Sequence, residues 1–487
     1  MSRTALNWIN GEWVDSGSHK DSINPATGEK IGVFADGGQA EAERAIVVAK
    51  QVHKNSDWKH NRHLRYKAIN ELADAFEANA DRLKEILMLE NGKVASEAMF
   101  EISLVAPKLR YYAAQALTEF GRALETQPGK FSMVLAESIG VVGIIAPWNS
   151  PIILMVRSLA PALAAGCTAV IKMPAQTAQT NFVINEVMAS IRSLPKGVIN
   201  QFTESGSAGA ALMVESPDVP AISYTGSTPI GRILMRNGAS NLKRFGFELG
   251  GKTPMLVFDD ANLDAALPVL EKAVTVFAGQ FCMTGSRILV QRGIADSFIS
   301  QFSKRLEEVK VGPASDPSSD MGPIIDKANV ERIDAAVEKA VSDGAEVLVR
   351  GGKITKGSLA SGAFYRPTLL KVKPEDNKLD IIQQETFGPV ATVQIFDTPE
   401  EAIALANDSE FGLAASVWSQ NVDLPLKVIR ELEAGTAWIN NWAAVNDEFE
   451  EGGYKMSGLG RLNGLAAIHD FVEYKHIFHG TGTLQSK

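Results

Sequence analysis

The run Gly140-Val141-Val142-Gly143-Ile144-Ile145-Ala146-Pro147-Trp148-Asn149-Ser150-Pro151 is an apolar strand halted by proline at a loop. A stretch of helical length follows over 152–165, and then Thr168-Ala169-Val170-Ile171-Lys172, a second strand ending in a cation. Strand, helix, strand is the repeating unit of a parallel sheet with helical crossovers. The alternation predicts a helix over 180–194, a strand over 198–203, a helix over 207–215 and a strand over 220–225. It ends in Ser223-Tyr224-Thr225-Gly226-Ser227-Thr228-Pro229-Ile230-Gly231: strand, glycine turn, helix start. Backbone N–H groups at such a helix start suit a pyrophosphate, although the Gly-x-Gly-x-x-Gly fingerprint is absent. A second alternation runs from about 250 to 449. Upstream, 6–36 reads as short strands and turns, and 39–124 as helices with apolar residues at helical spacing. The texture changes at 120–140, a strand pair whose edges need a partner, and 466–476 reads as a helix and a closing strand. The expected fold class is α/β, with two doubly wound parallel-sheet domains and a small β unit.

At 487 residues the chain exceeds one typical core and suggests two or three domains. A net charge of −9 argues against a general nucleic-acid binder, which needs a basic face. Its cysteines, Cys167 and Cys282, give neither a disulfide framework nor metal-ligand spacing, and no His-x-x-x-His pair occurs, so no metal is expected. The most apolar stretch, 151–171, is interrupted by Arg157 and Pro161 and reads as buried helix plus strand, not a membrane span. The opening residues lack a basic-then-apolar signal pattern, so a cytoplasmic location is the default expectation.

Three side chains carry candidate chemistry. Cys282 lies in Phe277-Ala278-Gly279-Gln280-Phe281-Cys282-Met283-Thr284-Gly285-Ser286-Arg287-Ile288-Leu289, a glycine-flanked loop between an apolar helical run, 273–278, and a strand. A thiol so held can be a nucleophile if a neighbour takes its proton; the plain alternative is a small buried hydrophobe. Glu248 sits in Phe247-Glu248-Leu249-Gly250-Gly251-Lys252, where burial would raise its pKa toward that of a general base; the alternative is a salt-bridged surface acid. Asn149 can aim an amide N–H at a carbonyl oxygen that becomes anionic, or can simply form a turn.

Glu-Leu-Gly-Gly-Lys at 248–252, followed by Gly-Gln-x-Cys-x-x-x-x-Arg at 279–287, resembles the aldehyde dehydrogenase superfamily. The resemblance extends from Asn24-Pro25-Ala26-Thr27-Gly28 to Gly458-Leu459-Gly460-Arg461. It implies a Rossmann-like NAD(P)-binding domain (1–118 and 139–249), a catalytic domain (250–449), and oligomerisation segments (119–138 and 465–487) of a homodimer or homotetramer. It implies Cys282 as nucleophile, Glu248 as base for water, and Asn149 with the Cys282 N–H as oxyanion donors. Cofactor contacts implied are Ile145, Trp148, Lys172, Gly206, Thr225, Gly226, Ser227, Leu249, Glu385 and Phe387. NAD-preferring members carry a Glu three positions after the lysine; here it is Ala175, which leaves NADP plausible beside NAD.

Some positions depart from the family pattern. A Lys and a Glu thought to relay protons from the base are replaced by Ser158 and Leu462. The usual Pro-aromatic pair before Gly-Gly is Glu450-Glu451, in the acidic run 447–451. Arg157 occupies a position that lines the substrate tunnel in relatives, where it fits a carboxylate or ortho-hydroxyl, or forms a structural salt bridge; the acidic run fits a cationic aldehyde, or is a solvated surface. The expected activity is oxidation of an aldehyde to an acid, on an anionic semialdehyde or an aromatic aldehyde. A CoA-acylating dehydrogenase and a non-catalytic structural relative are the alternatives.

Overall fold

The computed structural model describes residues 4–118 and 121–481. Five parallel strands form the centre of the first sheet, in the spatial order Ile199–Glu204, Thr168–Pro174, Val141–Ile145, Ala221–Thr225, Arg244–Glu248. Every residue of Val141–Ile145 is buried, as a strand covered on both faces requires. Val142 and Ile144 pack with helices Arg62–Ala78, Val105–Leu117 and Pro151–Ala165. Val141 and Ile145 face the opposite way, toward Gln39–Asn55 and Ala208–Glu215. The chain order of the strands reverses between Val141–Ile145 and Ala221–Thr225, and ligands of such sheets bind outside the carboxyl ends at that reversal.

The second sheet has six parallel strands, Thr368–Lys371, Val390–Phe396, Arg287–Gln291, Pro254–Val257, Ala414–Trp418 and Thr436–Ile439, with Glu346–Val349 antiparallel at one edge. A third sheet pairs Arg122–Gln127, Lys130–Ser138 and Val472–Gly480 antiparallel. The chain leaves the first sheet at Glu248 and enters the second at Pro254. Cys282 precedes the strand Arg287–Gln291, and Glu385 and Phe387 precede Val390–Phe396. Carboxyl ends of one sheet therefore face amino ends of the other, and the candidate residues lie in this seam.

The strand–helix alternation matches the sequence reading, with three differences. The helix expected over 180–194 spans Ala178–Ala189. Helical structure expected to 124 stops at Leu117, and Arg122–Gln127 is a strand. The apolar run 273–278 is not helical to its end: the helix Leu263–Thr275 stops, and Phe277, Ala278 and Gly279 take positive φ of 51°, 55° and 72°. Residues 119, 120 and 482–487 of the expected oligomerisation segments lie outside the described residues.

Gly279 is the residue this turn cannot replace. A Cβ there would lie 2.2 Å from the backbone carbonyl carbon of Gly388, and backbone cannot rotate away as a side chain can. Gly357 has a similar φ of 76° but open space around it. Gly279→Ala is expected to cost about 3 kcal/mol and Gly357→Ala about 1 kcal/mol in urea unfolding, since only the first adds a clash to the left-handed penalty.

Candidate active site

Asn149, Glu248 and Cys282 line one cleft of about 290 Å³, with Trp148, Thr225, Gly226, Ser227, Leu249, Glu385 and Phe387. Lys172 and Gly206 lie further along the same carboxyl edge, at and just beyond the ends of the next two strands. Ile145 ends its strand with its side chain in the core, so only its backbone can meet a ligand in the cleft. Gly226 gives its N–H to the Glu248 carbonyl at 3.0 Å, and a Cβ there would meet the Tyr224 hydroxyl at 2.3 Å. Its place in the turn thus depends on having no side chain, and its N–H is already engaged. Arg332, on the helix Lys327–Ser342, also lines the cleft and donates to the Thr386 carbonyl at 2.9 Å. Nothing in an ordinary amphipathic helix marks that arginine out in the sequence.

Burial sets the protonation here. It pushes the Cys282 thiol up to about 12, against the pull of Arg157, while Glu451, Glu385 and Glu248 add to the push. Cys282 is therefore a thiol in the resting site at neutral pH. Burial likewise raises the Glu248 carboxyl to about 7, with Arg157 and Arg461 opposing and Glu451 reinforcing. Glu248 is 5% exposed, which selects the buried acid over the surface acid of its two readings in sequence. Asn149 donates from Nδ2 to the Gln280 carbonyl at 3.1 Å, which ties the amide to the loop bearing Cys282. Glu385 is also raised to about 7 by burial, opposed by the Gly251 N–H, 3.1 Å from Oε1, and by Lys252 and Arg332. Phe387 holds a left-handed φ of 51° and meets the Trp148 ring edge-on at 5.6 Å. A non-glycine residue in that conformation is strained, a feature that gathers at ligand sites.

A second cavity of about 260 Å³ lies behind the first, walled by Phe100, Leu104, Ile153, Leu154, Phe277, Phe281, Met283 and Val445. Leu154 lines both cavities, and the chain passes between them at Asn149-Ser150 and at Phe281-Cys282-Met283. Arg157 reaches this cavity but is not a free cation. It is 4% exposed, its Nη1 lies 3.0 Å from Glu451 Oε1, and Nη2 donates to Thr225 Oγ1 at 3.3 Å. Thr225 is the register partner of Glu248, so this contact brings the guanidinium to the strand end that carries the carboxylate. The acidic run is not wholly a solvated surface either. Glu448 and Glu450 are exposed, but Glu451 is buried and Asp447 pairs with Lys108. Lys108 also donates to Asn463 Oδ1 at 2.6 Å, and Asn463 Nδ2 to Glu451 Oε2 at 3.1 Å, closing one network from Asp447 to Arg157. Ser158 accepts a hydrogen bond from Ser223 at 2.8 Å, and Leu462 pairs its backbone with Glu451, so neither position carries a titratable side chain.

A model of the aldehyde dehydrogenase family matches residues 13–477. Betaine aldehyde dehydrogenase from Bacillus subtilis (strain 168) is 34% identical over 99% of this chain and 98% of its own. Succinate-semialdehyde dehydrogenase (NADP+) 2 from Schizosaccharomyces pombe is 35% identical over 97% of this chain and 96% of its own. The crystal structure of betaine aldehyde dehydrogenase from Staphylococcus aureus in complex with NAD+ superposes with a TM-score of 0.95 at 34% identity, covering 99% of this chain and 97% of that one.

The charges around Cys282 make its reactivity a test of the geometry. With the thiol pushed up to about 12, alkylation by iodoacetamide should rise with pH and reach no plateau below pH 10. Cys167 is fully buried, so the readout is selective. Arg157→Met removes a cation and should slow the reaction at fixed pH. Glu451→Gln removes an anion and should speed it. Each change is expected to be about threefold or more, half a pKa unit. Two partners of one salt bridge acting in opposite directions is the outcome a purely structural pair cannot give.

Proposed function

The chain belongs to the aldehyde dehydrogenase family and is an NAD(P)-dependent oxidoreductase acting on aldehydes, and on that premise we propose that Cys282, Glu248 and Asn149 carry its chemistry. The cleft fits the cofactor. The helix Thr228–Gly238 begins at Ser227, whose side chain makes no cap bond, so the first-turn N–H groups are left to a ligand, and a helix start favours an anion. Ser227 with the Gly226 turn would hold the pyrophosphate, Glu385 the nicotinamide ribose, Phe387 and Trp148 the ring side, and Lys172 the adenosine ribose. Ile145, Gly206, Thr225 and Leu249 complete the binding edge. Bound NAD(P)+ supplies the hydride acceptor. Ala175 carries no carboxylate to repel a 2′-phosphate, so both cofactors are expected to serve.

Cys282 Sγ attacks the aldehyde carbon, and Asn149 Nδ2 with the Cys282 N–H holds the oxygen that becomes anionic. Each donor contributes on the order of 3 kcal/mol. The thiol proton, kept on sulfur by burial, goes to Glu248 in the same cleft. Oxidation leaves a thioester on Sγ; Glu248 passes the thiol proton to solvent, then takes a proton from the water that releases the acid and returns it to the freed Sγ. A carboxylate raised to about 7 suits both transfers. Its presence beside Cys282 supports hydrolytic over CoA-dependent release.

The substrate reading rests on the charges of the inner cavity being already paired, Arg157 with Glu451, Lys108 with Asp447 and Glu101 with Lys93, while the rest of its walls are mainly aromatic and aliphatic. We infer an uncharged aromatic aldehyde. One feature favours a second reading: Arg157 Nε has no hydrogen-bond partner, and an anionic or ortho-hydroxyl group could take it. The similar relatives are named for a cationic and an anionic aldehyde, so identity does not decide between charges.

The domain division given above is proposed with this function. So is assembly as a homodimer or homotetramer through the three-stranded sheet, where Leu124 and Phe478 are 67% and 58% exposed. A cytoplasmic site is proposed as well; among the described residues no helix is long and apolar enough to cross a membrane.

Initial rates with benzaldehyde, succinic semialdehyde and an aminoaldehyde, with NAD and with NADP, with and without CoA, test the reading. Benzaldehyde should lead by about tenfold or more in kcat/KM, the discrimination expected when a charged group must enter a charge-balanced apolar site. CoA should have no effect. A lead for succinic semialdehyde that Arg157→Ala abolishes would establish the anionic substrate instead.

A further inference from the structure

The helix Ala95–Ser103 falls in the helical region 39–124, yet its charged residues are buried. Glu97 is 3% exposed and Glu101 1%, while Lys93, just before the helix, is 2% exposed. Charges removed from water need partners, and the partners here are informative. Glu97 Oε1 accepts the backbone N–H of Phe277 at 3.0 Å and Lys272 Nζ at 2.9 Å. Phe277 is the first of the three left-handed residues that turn the chain toward Cys282. Glu101 Oε1 accepts the N–H groups of Ile152 and Ile153 at 2.8 and 3.3 Å, in the first turn of the helix that starts two residues after Asn149. Its negative charge sits at the positive end of that helix. Lys93 joins the two halves: Nζ pairs with Glu101, donates to Ser150 Oγ at 3.0 Å and lies 4.0 Å over the Phe277 ring.

One short segment thus grips both loops that meet at the reacting atoms. We propose that Glu97, with Lys93 and Glu101, is a positioning brace that fixes the Cys282 sulfur against the Asn149 amide; this rests on the roles of those two residues given under Proposed function. None of the three brace residues lines the cleft that holds Cys282, and only Glu101 reaches the inner cavity; Lys93 and Glu97 line neither. Glu97 acts on the backbone of the left-handed turn, Glu101 on the helix that follows Asn149, and Lys93 keeps the two in register. The Asn149–Gln280 hydrogen bond closes the arrangement from the inside.

The test is a cycle of Glu97→Ala and Asn149→Ala, with Glu97→Gln as the conservative variant. Glu97→Gln keeps an oxygen for the Phe277 N–H, whereas Glu97→Ala removes it. Glu97→Ala should lower kcat by about 30-fold or more with KM for NAD changed less than about twofold, the pattern of misplacement at the reacting atoms. Glu97→Gln should recover to within about fivefold of the native enzyme. In the Asn149→Ala background, Glu97→Ala should cost less than about threefold, because the amide against which it sets Cys282 is gone. Losses that multiply in the double variant, or a Glu97→Ala enzyme with native kcat, would overturn the brace. So would equal damage by Glu97→Gln and Glu97→Ala accompanied by equal falls in melting temperature, which marks a folding role. Full activity in Asn149→Ala or Cys282→Ala would instead refute the site assignment, and the brace with it; loss in those two beside native activity in Glu97→Ala refutes the brace alone.

Discussion

Two parallel sheets meet end to end, and the burial this creates sets the protonation of the groups in the seam between them. Loops after the strands of one sheet and before the strands of the other must share a narrow space, so a thiol and two carboxylates end up poorly hydrated together. Desolvation holds the proton on Cys282 and lifts Glu248 and Glu385 toward neutrality. A thiol kept protonated at rest is protected from adventitious oxidation and alkylation, and a carboxyl group near neutrality can both accept and return a proton. Glu248 ends one strand of the first sheet, and the chain enters the second at Pro254, so the fold places this carboxyl group in the seam.

A polar network runs from Asp447 through Lys108, Asn463 and Glu451 to Arg157. It lines the inner cavity, and its internal pairing leaves aromatic and aliphatic walls facing the rest of that space. Breaking a buried pair strands a charge, so the network resists rearrangement by a weakly bound ligand. It also brings Glu451 into electrostatic reach of Cys282 and Glu248, while Ser158 and Leu462 bring no proton-carrying group. Charge at Cys282 and charge in the inner cavity are therefore linked.

Much of this was legible in the sequence, for reasons that differ by residue. Parallel strands are covered on both faces, so 141–145 and 168–172 stand out as apolar runs, and the family motifs locate Cys282, Glu248 and Asn149. What the sequence hides depends on contacts between distant segments. The helix before Cys282 stops early because Glu97 takes the Phe277 N–H and Gly279 packs against Gly388, neither of which has a local signature. Arg157 and Glu451 are 294 positions apart, so an arginine that reads as a possible clamp and an acid that reads as a surface charge prove to be each other's partner. Lys93, Glu97 and Glu101 have the spacing of a helix face, and only their burial shows that they are more than that.

The central claim is that Cys282 carries the acyl group and Glu248 is needed to release it. Intact-protein and peptide mass measurement of Glu248→Gln, mixed with NAD+ and benzaldehyde, tests it most directly. A benzoyl adduct on the peptide that contains Cys282 is expected to form slowly, with hydroxide replacing Glu248 as acceptor of the thiol proton, and then to persist, with multiple turnover suppressed. Continued turnover without an adduct, or an adduct on another residue, would contradict it.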